Sequence, residues 1–326
     1  MMVTVLVVLG HVTIFYGGAG VITPRNGSHL LGEIAWYIYS FHMPLYMLAS
    51  GLVYGVCLEK PGRYQQVWPT ITQKIKRLLV PYFLFGILYV APVMVLLGFT
   101  QQSFGVYCWE GIVLSLNARH LWFLPALFLI FVAAALLHKL PLRGWGWTVV
   151  GFGALVWLAW LAPYVKNYFQ VAQSCYYGIF FYMGVVLHRH REEVMGFLHR
   201  HWLLWLILGA ATVALYPWEG FTVKIVRALV AALFFLGLAE RLCRTKWLNH
   251  PVADLLDRDG FGIYLFHPMI LYGVFYWLGP KDIHAWLLAA GATVVAFVLS
   301  TLCTEGLRAL GLGWMMGENF PTRKKG

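Results

Sequence analysis

The chain has 326 residues, of which 60% are hydrophobic and only 11% charged, where an ordinary soluble domain carries about 25% charged residues. That much apolar surface, with 15 Trp, 18 Tyr and 22 Phe, cannot form the outside of a water-soluble enzyme, and continuous rather than alternating apolar runs exclude a β-barrel. The net charge of +11 is scattered over short loops between apolar runs, which is the bias that orients membrane helices rather than the footprint of a nucleic-acid binder.

A membrane crossing takes about 20 apolar residues, and ten such segments follow one another: 2–21, 34–57, 78–98, 121–138, 147–163, 174–187, 202–216, 223–239, 261–278 and 285–303. They predict an all-α polytopic membrane protein, with residues 1–326 forming a single integral membrane domain. No internal repeat is visible, and the first run lacks the basic lead and small-residue cleavage site of a removable signal. With the N-terminus inside, eighteen Lys and Arg fall in inner loops and tail. Six, Arg25, Arg119, Lys166, Lys224, Arg227 and Lys281, fall outside. That asymmetry predicts cytoplasmic N- and C-termini.

Ionisable residues inside apolar spans are costly and usually functional. His11, at about 1.5 Å per residue, lies about 15 Å from the inner surface, and His42 about 12 Å from the outer one. Both are near the middle of a core about 30 Å thick, with His267 nearer the inner side. Tyr39, His42, Tyr46 and Ser50 recur at helical spacing and predict one polar face, bent at Pro44. The bland alternative is a packed aromatic face with a hydrogen-bonded histidine. Lys74, Lys76 and Arg77 open the third span; they either snorkel as anchors or hold a phosphate-bearing ligand.

Other patterns are weak. His188, His190, His199 and His201 bracket one inner loop, but interleaved Arg189, Arg191 and Arg200 repel a metal. Asp254, Asp257 and Asp259 do not match a calcium loop and predict a turn before the ninth span. Asn26-Gly27-Ser28 is a glycosylation sequon by pattern alone. The five cysteines, Cys57, Cys108, Cys175, Cys243 and Cys303, form no CxxC pair, and suggest neither zinc nor a disulfide framework.

Five stretches, in order, resemble the acyltransferase-3 family of integral membrane O-acyltransferases. They are Leu6-Val7-Val8-Leu9-Gly10-His11; Phe41-His42-Met43-Pro44-Leu45 with Ser50-Gly51; Lys76-Arg77-Leu78-Leu79-Val80-Pro81-Tyr82; Leu121-Trp122-Phe123-Leu124; and Gly262-Ile263-Tyr264-Leu265-Phe266-His267-Pro268. The second is most similar to the fucose 4-O-acetylase-like branch. The resemblance implies transfer of an acetyl or similar short acyl group from a cytoplasmic acyl-CoA, usually acetyl-CoA, to a hydroxyl of a sugar or cell-surface glycan, in the bacterial plasma (inner) membrane. It places the leading catalytic candidate on His11, a second-span histidine on His42, and a basic donor- or substrate-binding residue on Arg77. The family pattern sets an arginine ten residues before the first-span histidine, where this chain has Met1. Either the true start lies upstream, which is the expectation because two methionines open directly on an apolar run, or that arginine is lacking.

The expected site therefore has His11 as general base, with His42 or Tyr39 positioning the acceptor or stabilising the oxyanion. A histidine in apolar surroundings is uncharged near neutral pH and free to take a hydroxyl proton; a covalent His11-acetyl intermediate is the other option. Lys74, Lys76 and Arg77 are expected at the CoA phosphates, and Tyr46, Trp122 and His267 at the acceptor. No metal is expected. The partners expected are the bilayer, acyl-CoA and a carbohydrate or lipid-linked glycan, with no nucleic acid. The competing class is a transporter or flippase for a lipid-linked saccharide, its histidines relaying protons; repeats or paired broken helices, usual in transporters, are not visible in the sequence. A structural or sensory protein, for which the histidines are dispensable, is the third class.

Overall fold

The computed structural model describes residues 2–18, 21–60, 64, 66–138, 144–243 and 250–318. Met1 and the basic residues Arg63, Lys139, Arg143, Arg244, Lys246, Arg323, Lys324 and Lys325 lie outside the described residues. The chain is all-helical among those described. We number its helices α1 (Met2–Tyr16), α2 (His29–Tyr39), α3 (His42–Glu59), α4 (Val67–Leu96), α5 (104–113), α6 (Arg119–Leu137) and α7 (Trp145–Leu161). There follow α8 (Val171–Arg189), α9 (Arg191–Arg200), α10 (Trp202–Ala214), α11 (Phe221–Cys243), α12 (Pro251–Arg258), α13 (Gly260–Leu278) and α14 (Ala285–Ala309).

Nine of the ten expected segments each overlap one helix, and the second, 34–57, runs across the break between α2 and α3. Among the described residues, seven spans are long and apolar enough to cross a membrane unaided, the first running through α2 and α3 (His29–Glu59). A bent pair of helices around 198–202, turning by 92°, makes up to eight. α1 is a shorter apolar helix, and α8 is 19 residues long. Two features differ from expectation. The connection between the third and fourth expected spans forms α5, which buries Tyr107 and Ile112 completely. Asp254 and Asp257 belong to α12 rather than to a turn, because Pro251 at its first position suits a helix start.

The prolines explain where the helices deviate. A proline has no N–H for the carbonyl four residues earlier, and inside a bilayer that carbonyl has no water to turn to. Pro44 leaves Ser40 unpaired, so the chain breaks at Ser40–Phe41 (Phe41 φ −142°, ψ −16°) and restarts as α3. The expected bend at Pro44 is thus a break four residues upstream, and the polar stripe is divided: Tyr39 ends α2, while His42, Tyr46 and Ser50 belong to α3. In α4, the residues four before Pro81 and Pro92 are Arg77 and Leu88. Each sits in a π-helical turn, Ile75–Leu79 and Gly86–Val90; these wider turns absorb the missing donors.

Helix contacts fix the frame. α3 and α8 meet backbone to backbone at Gly51 and Gly184; a Cβ on Gly51 would collide with the Phe181 carbonyl, and one on Gly184 with the Leu48 carbonyl. At the end of the bundle holding the start of α13 and the end of α14, Arg308 binds Asp259, Glu305 (2.5 Å) and Glu318 (2.7 Å). Arg258 binds Asp259 (3.0 Å) and Glu305 (2.8 Å). Gly317 (φ 72°) presses on the Arg77 backbone, where a Cβ would come within 2.8 Å. Burial pushes the Asp259 carboxyl up, but the bonds from Arg258 and Arg308 outweigh it and hold the group below its ordinary range.

Two outcomes follow. Gly51→Ala overpacks the seam, at a cost of about 1–3 kcal/mol or more. It lowers the unfolding midpoint in detergent, while Gly153→Ala, with nothing within 4 Å of the new methyl group, changes stability by less than about 0.5 kcal/mol. A carboxyl held low contributes stability that is complete above its unfolded pKa and lost as pH falls through the depressed value. Thermal midpoints therefore drop on acidification below about pH 4, and Asp259→Asn makes that drop smaller.

Candidate active site

Midway along α13, away from the Asp259 cluster at its start, lies a cavity of about 260 Å³. Its wall is built from four elements: His11 and Phe15 of α1, Trp36 and Tyr39 of α2, Arg119, His120 and Trp122 of α6, and Pro268, Leu271 and Tyr272 of α13. Gly10 makes the site possible, because α1 approaches α2 so closely that a Cβ there would lie 3.0 Å from Ile38 and 3.4 Å from the Tyr39 ring. That approach sets the Tyr39 ring edge-on to His11, with centroids 5.9 Å apart.

The hydrogen bonds assign the imidazole protons. His267 is fully buried, and its Nδ1 stands 2.6 Å from Ile263 O, one turn back beside the Pro268 kink. A carbonyl only accepts, so His267 Nδ1 carries the proton and its Nε2 offers a lone pair. His11 Nδ1 lies 2.9 Å from that Nε2 and so must donate. With both rings neutral, the remaining lone pair of His11 is on Nε2. The arrangement is a backbone carbonyl and two imidazoles in series, in which each bond fixes the tautomer of the next ring.

The kink is pinned from three sides. His120 Nε2 donates to Leu265 O (3.2 Å), Tyr264 OH returns a bond to His120 O (2.6 Å), and Tyr89 OH donates to Phe266 O (3.1 Å). His42 repeats the device on α3. Its Nδ1 donates to Ile38 O at 2.9 Å, a carbonyl that also accepts from Phe41 N–H at 3.2 Å beside the Ser40–Phe41 break, and its ring supports Tyr39 at 4.8 Å.

Of the residues singled out from sequence, His11, Tyr39 and Trp122 meet on the cavity wall, with His267 and His42 directly behind them. His267, expected at the acceptor, instead contacts His11 and the α13 backbone. Tyr46 lies off the wall, bonded to Thr4 (3.3 Å) and packed on Phe123. The basic trio sits at the other end of α4. Lys74 is buried, its ammonium 3.5 Å from the Phe131 ring centroid and 4.7 Å from that of Tyr64, whereas Lys76 and Arg77 are exposed. His188 and His190 pair with Glu59 and Glu193. Among the described residues no three metal-ligating side chains converge.

Sequence reading missed Arg119 and His120 as site residues. The available signal was a cation on the side disfavoured by the charge bias, immediately before Leu121-Trp122-Phe123-Leu124. Solid-state ¹⁵N NMR of histidine-labelled protein checks the proton assignment. A protonated His11 Nδ1 and a bare Nε2 are expected, and the opposite tautomer would remove the base from this site.

Comparison with known proteins agrees with this architecture. The model of the acyltransferase domain family, acyltransferase 3, matches residues 2–305. The "Probable poly-beta-1,6-N-acetyl-D-glucosamine export protein" of Staphylococcus aureus strains MSSA476, MW2 and N315 is 20% identical, covering 91% of this chain and 85% of the relative. No solved structure matches. The chain belongs to the acyltransferase-3 family and is a multi-pass membrane acyltransferase.

Proposed function

We propose that the protein transfers an acetyl or similar short acyl group from acyl-CoA to a hydroxyl of a cell-surface glycan in the bacterial inner membrane, with His11 Nε2 as general base. The observation that carries this reading is the Ile263–His267–His11 series, which leaves a lone pair on Nε2 of His11, a ring that lines an aromatic-walled cavity. His11 takes the proton of the acceptor hydroxyl as that oxygen attacks the acyl carbonyl. The C–S bond then breaks, and the imidazolium returns the proton to the departing thiolate. His267 is the positioning residue, Tyr39 and Trp122 enclose the acceptor ring, and His42 holds Tyr39.

A cavity of about 260 Å³ is below the usual 300–1,000 Å³ of a small-molecule site; it suits one sugar ring and an acyl group, not a nucleotide. Lys76 and Arg77, exposed at the opposite end, are the fitting contacts for the donor's phosphates. By the loop-charge assignment their end is cytoplasmic and the cavity end outer, so donor and acceptor approach from opposite sides. The glycan assignment draws support from the polysaccharide named for the staphylococcal relatives. That name also favours a second reading, saccharide export with the histidines relaying protons.

Transfer of radiolabelled acetyl from acetyl-CoA to glycan in membranes separates the two. Wild type labels glycan, and folded His11→Ala lowers the rate by about 10²–10⁴-fold. Equal labelling by both makes His11 structural, and no labelling together with saccharide uptake by vesicles establishes the export reading. Replacing Lys76 and Arg77 by Gln raises the KM for acetyl-CoA about tenfold or more, as expected for lost charge-assisted phosphate contacts. An unchanged KM would move the donor site elsewhere.

A further inference from the structure

The cavity holds a charge without a counter-charge. Arg119 reaches the wall from a backbone in the left-handed region (φ 50°), which is costly for a residue with a Cβ. A second left-handed turn holds it there. Gln170 (φ 63°) donates through Nε2 to Ser115 O (2.5 Å) and Ser115 Oγ (3.1 Å), and Phe169 (φ 49°) donates its N–H to Leu114 O at 2.8 Å. Two strained turns locked together are an expensive way to place a guanidinium.

Among the described residues nothing anionic receives it. No carboxylate lies on the cavity wall. The neighbour that meets the Arg119 side chain is the neutral Tyr107 hydroxyl, and Arg119 Nε is buried without a hydrogen-bond partner. Beside it, His120 is 7% exposed and spends its Nε2 proton on Leu265 O. That leaves Nδ1 as a buried acceptor that no donor meets. An uncompensated cation and an unused acceptor in a low-dielectric wall are both costly in the free protein. Together they fit a hydroxylated ring that carries a negative charge.

We infer that the acceptor is an acidic sugar, its anionic oxygens paired with Arg119 and one ring hydroxyl donating to His120 Nδ1, while another faces His11. The inference rests on the acyltransferase reading and deepens it. Arg119 becomes the specificity-determining residue, using the planar fork that suits carboxylate and phosphate. Trp36, Tyr39 and Trp122 supply apolar faces for the ring. Two sources share this chemistry: the carboxylate of a uronic acid, and the phosphate joining a sugar to a lipid carrier.

The test uses the full chain in lipid nanodiscs with three probes: methyl β-D-glucoside, methyl β-D-glucuronide and dodecyl phosphoglucose. Binding is measured by calorimetry without donor, and transfer with radiolabelled acetyl-CoA. At least one anionic probe binds about ten- to a hundredfold more tightly than the glucoside, as a charge-assisted bond provides, and which one it is identifies the source. Arg119→Gln brings that ratio close to one. Arg119→Lys, which keeps the charge but not the fork, gives an intermediate ratio and serves where the Gln variant fails to fold. If the glucoside binds as well as both anionic probes, or if Arg119→Gln preserves the ratio, the inference is overturned. An anionic probe that binds through Arg119 but is never acetylated leaves the acidic acceptor standing and defeats the acyltransferase reading. A glucoside acetylated as readily as both anionic probes does the reverse.

Discussion

A carbonyl inside a bilayer must be given a donor, and the site grows out of one place where the helix cannot supply it. Pro268 stands inside α13 and has no N–H for the Tyr264 carbonyl, the acceptor one turn before it. The carbonyls around that turn are met by side chains from three directions: His267 from α13 itself, His120 from α6 and Tyr89 from α4. Each of these bonds has a second effect. The first fixes which nitrogen of His267 is bare, and thereby which nitrogen of His11 is bare. The second orients His120 and, through the returning bond from Tyr264, ties the start of α6 to the kink. Around a proline that would merely weaken a helix in water, these side-chain bonds tie α13 to α4 and α6.

The same reasoning connects the two histidine-proline stretches. In His42-Met43-Pro44 and His267-Pro268 the imidazole turns back one helical turn to a carbonyl, Ile38 O in one case and Ile263 O in the other. The outcomes differ. On α13 the ring's other nitrogen faces His11 and joins the site; on α3 the ring stays behind Tyr39 and supports it.

Much of this was legible in the sequence. Ten apolar segments and their order are set by the cost of polar groups in lipid, so the helices fall where composition puts them. His11 and Tyr39 stand out in the sequence as ionisable or polar groups among apolar neighbours, and Trp122 through the motif Leu121-Trp122-Phe123-Leu124 that carries the family resemblance. The break before His42 was misplaced to Pro44, because proline's effect falls on the carbonyl four residues earlier and sequence spacing marks only the proline. The role of His267 was hidden for another reason: α1 and α13 are far apart in the chain, and no local pattern reports which nitrogen of one ring faces another. Arg119 was counted as a loop charge. Its position over the cavity depends on strained turns at Arg119 and Gln170, residue types that rarely advertise a left-handed backbone.

The glycine contact between α3 and α8 also determines how the bundle can deform. At Gly51 and Gly184 the two helices touch main chain to main chain, so no side chain stands between them to rotate aside, and this flank cannot give way in small steps. α4 is the opposite case. In its two π-turns the amide–carbonyl pairing is out of step by one residue, and such a defect can migrate along a helix by exchanging one partner for the next. One flank of the bundle is therefore a fixed wall and the other a compliant one.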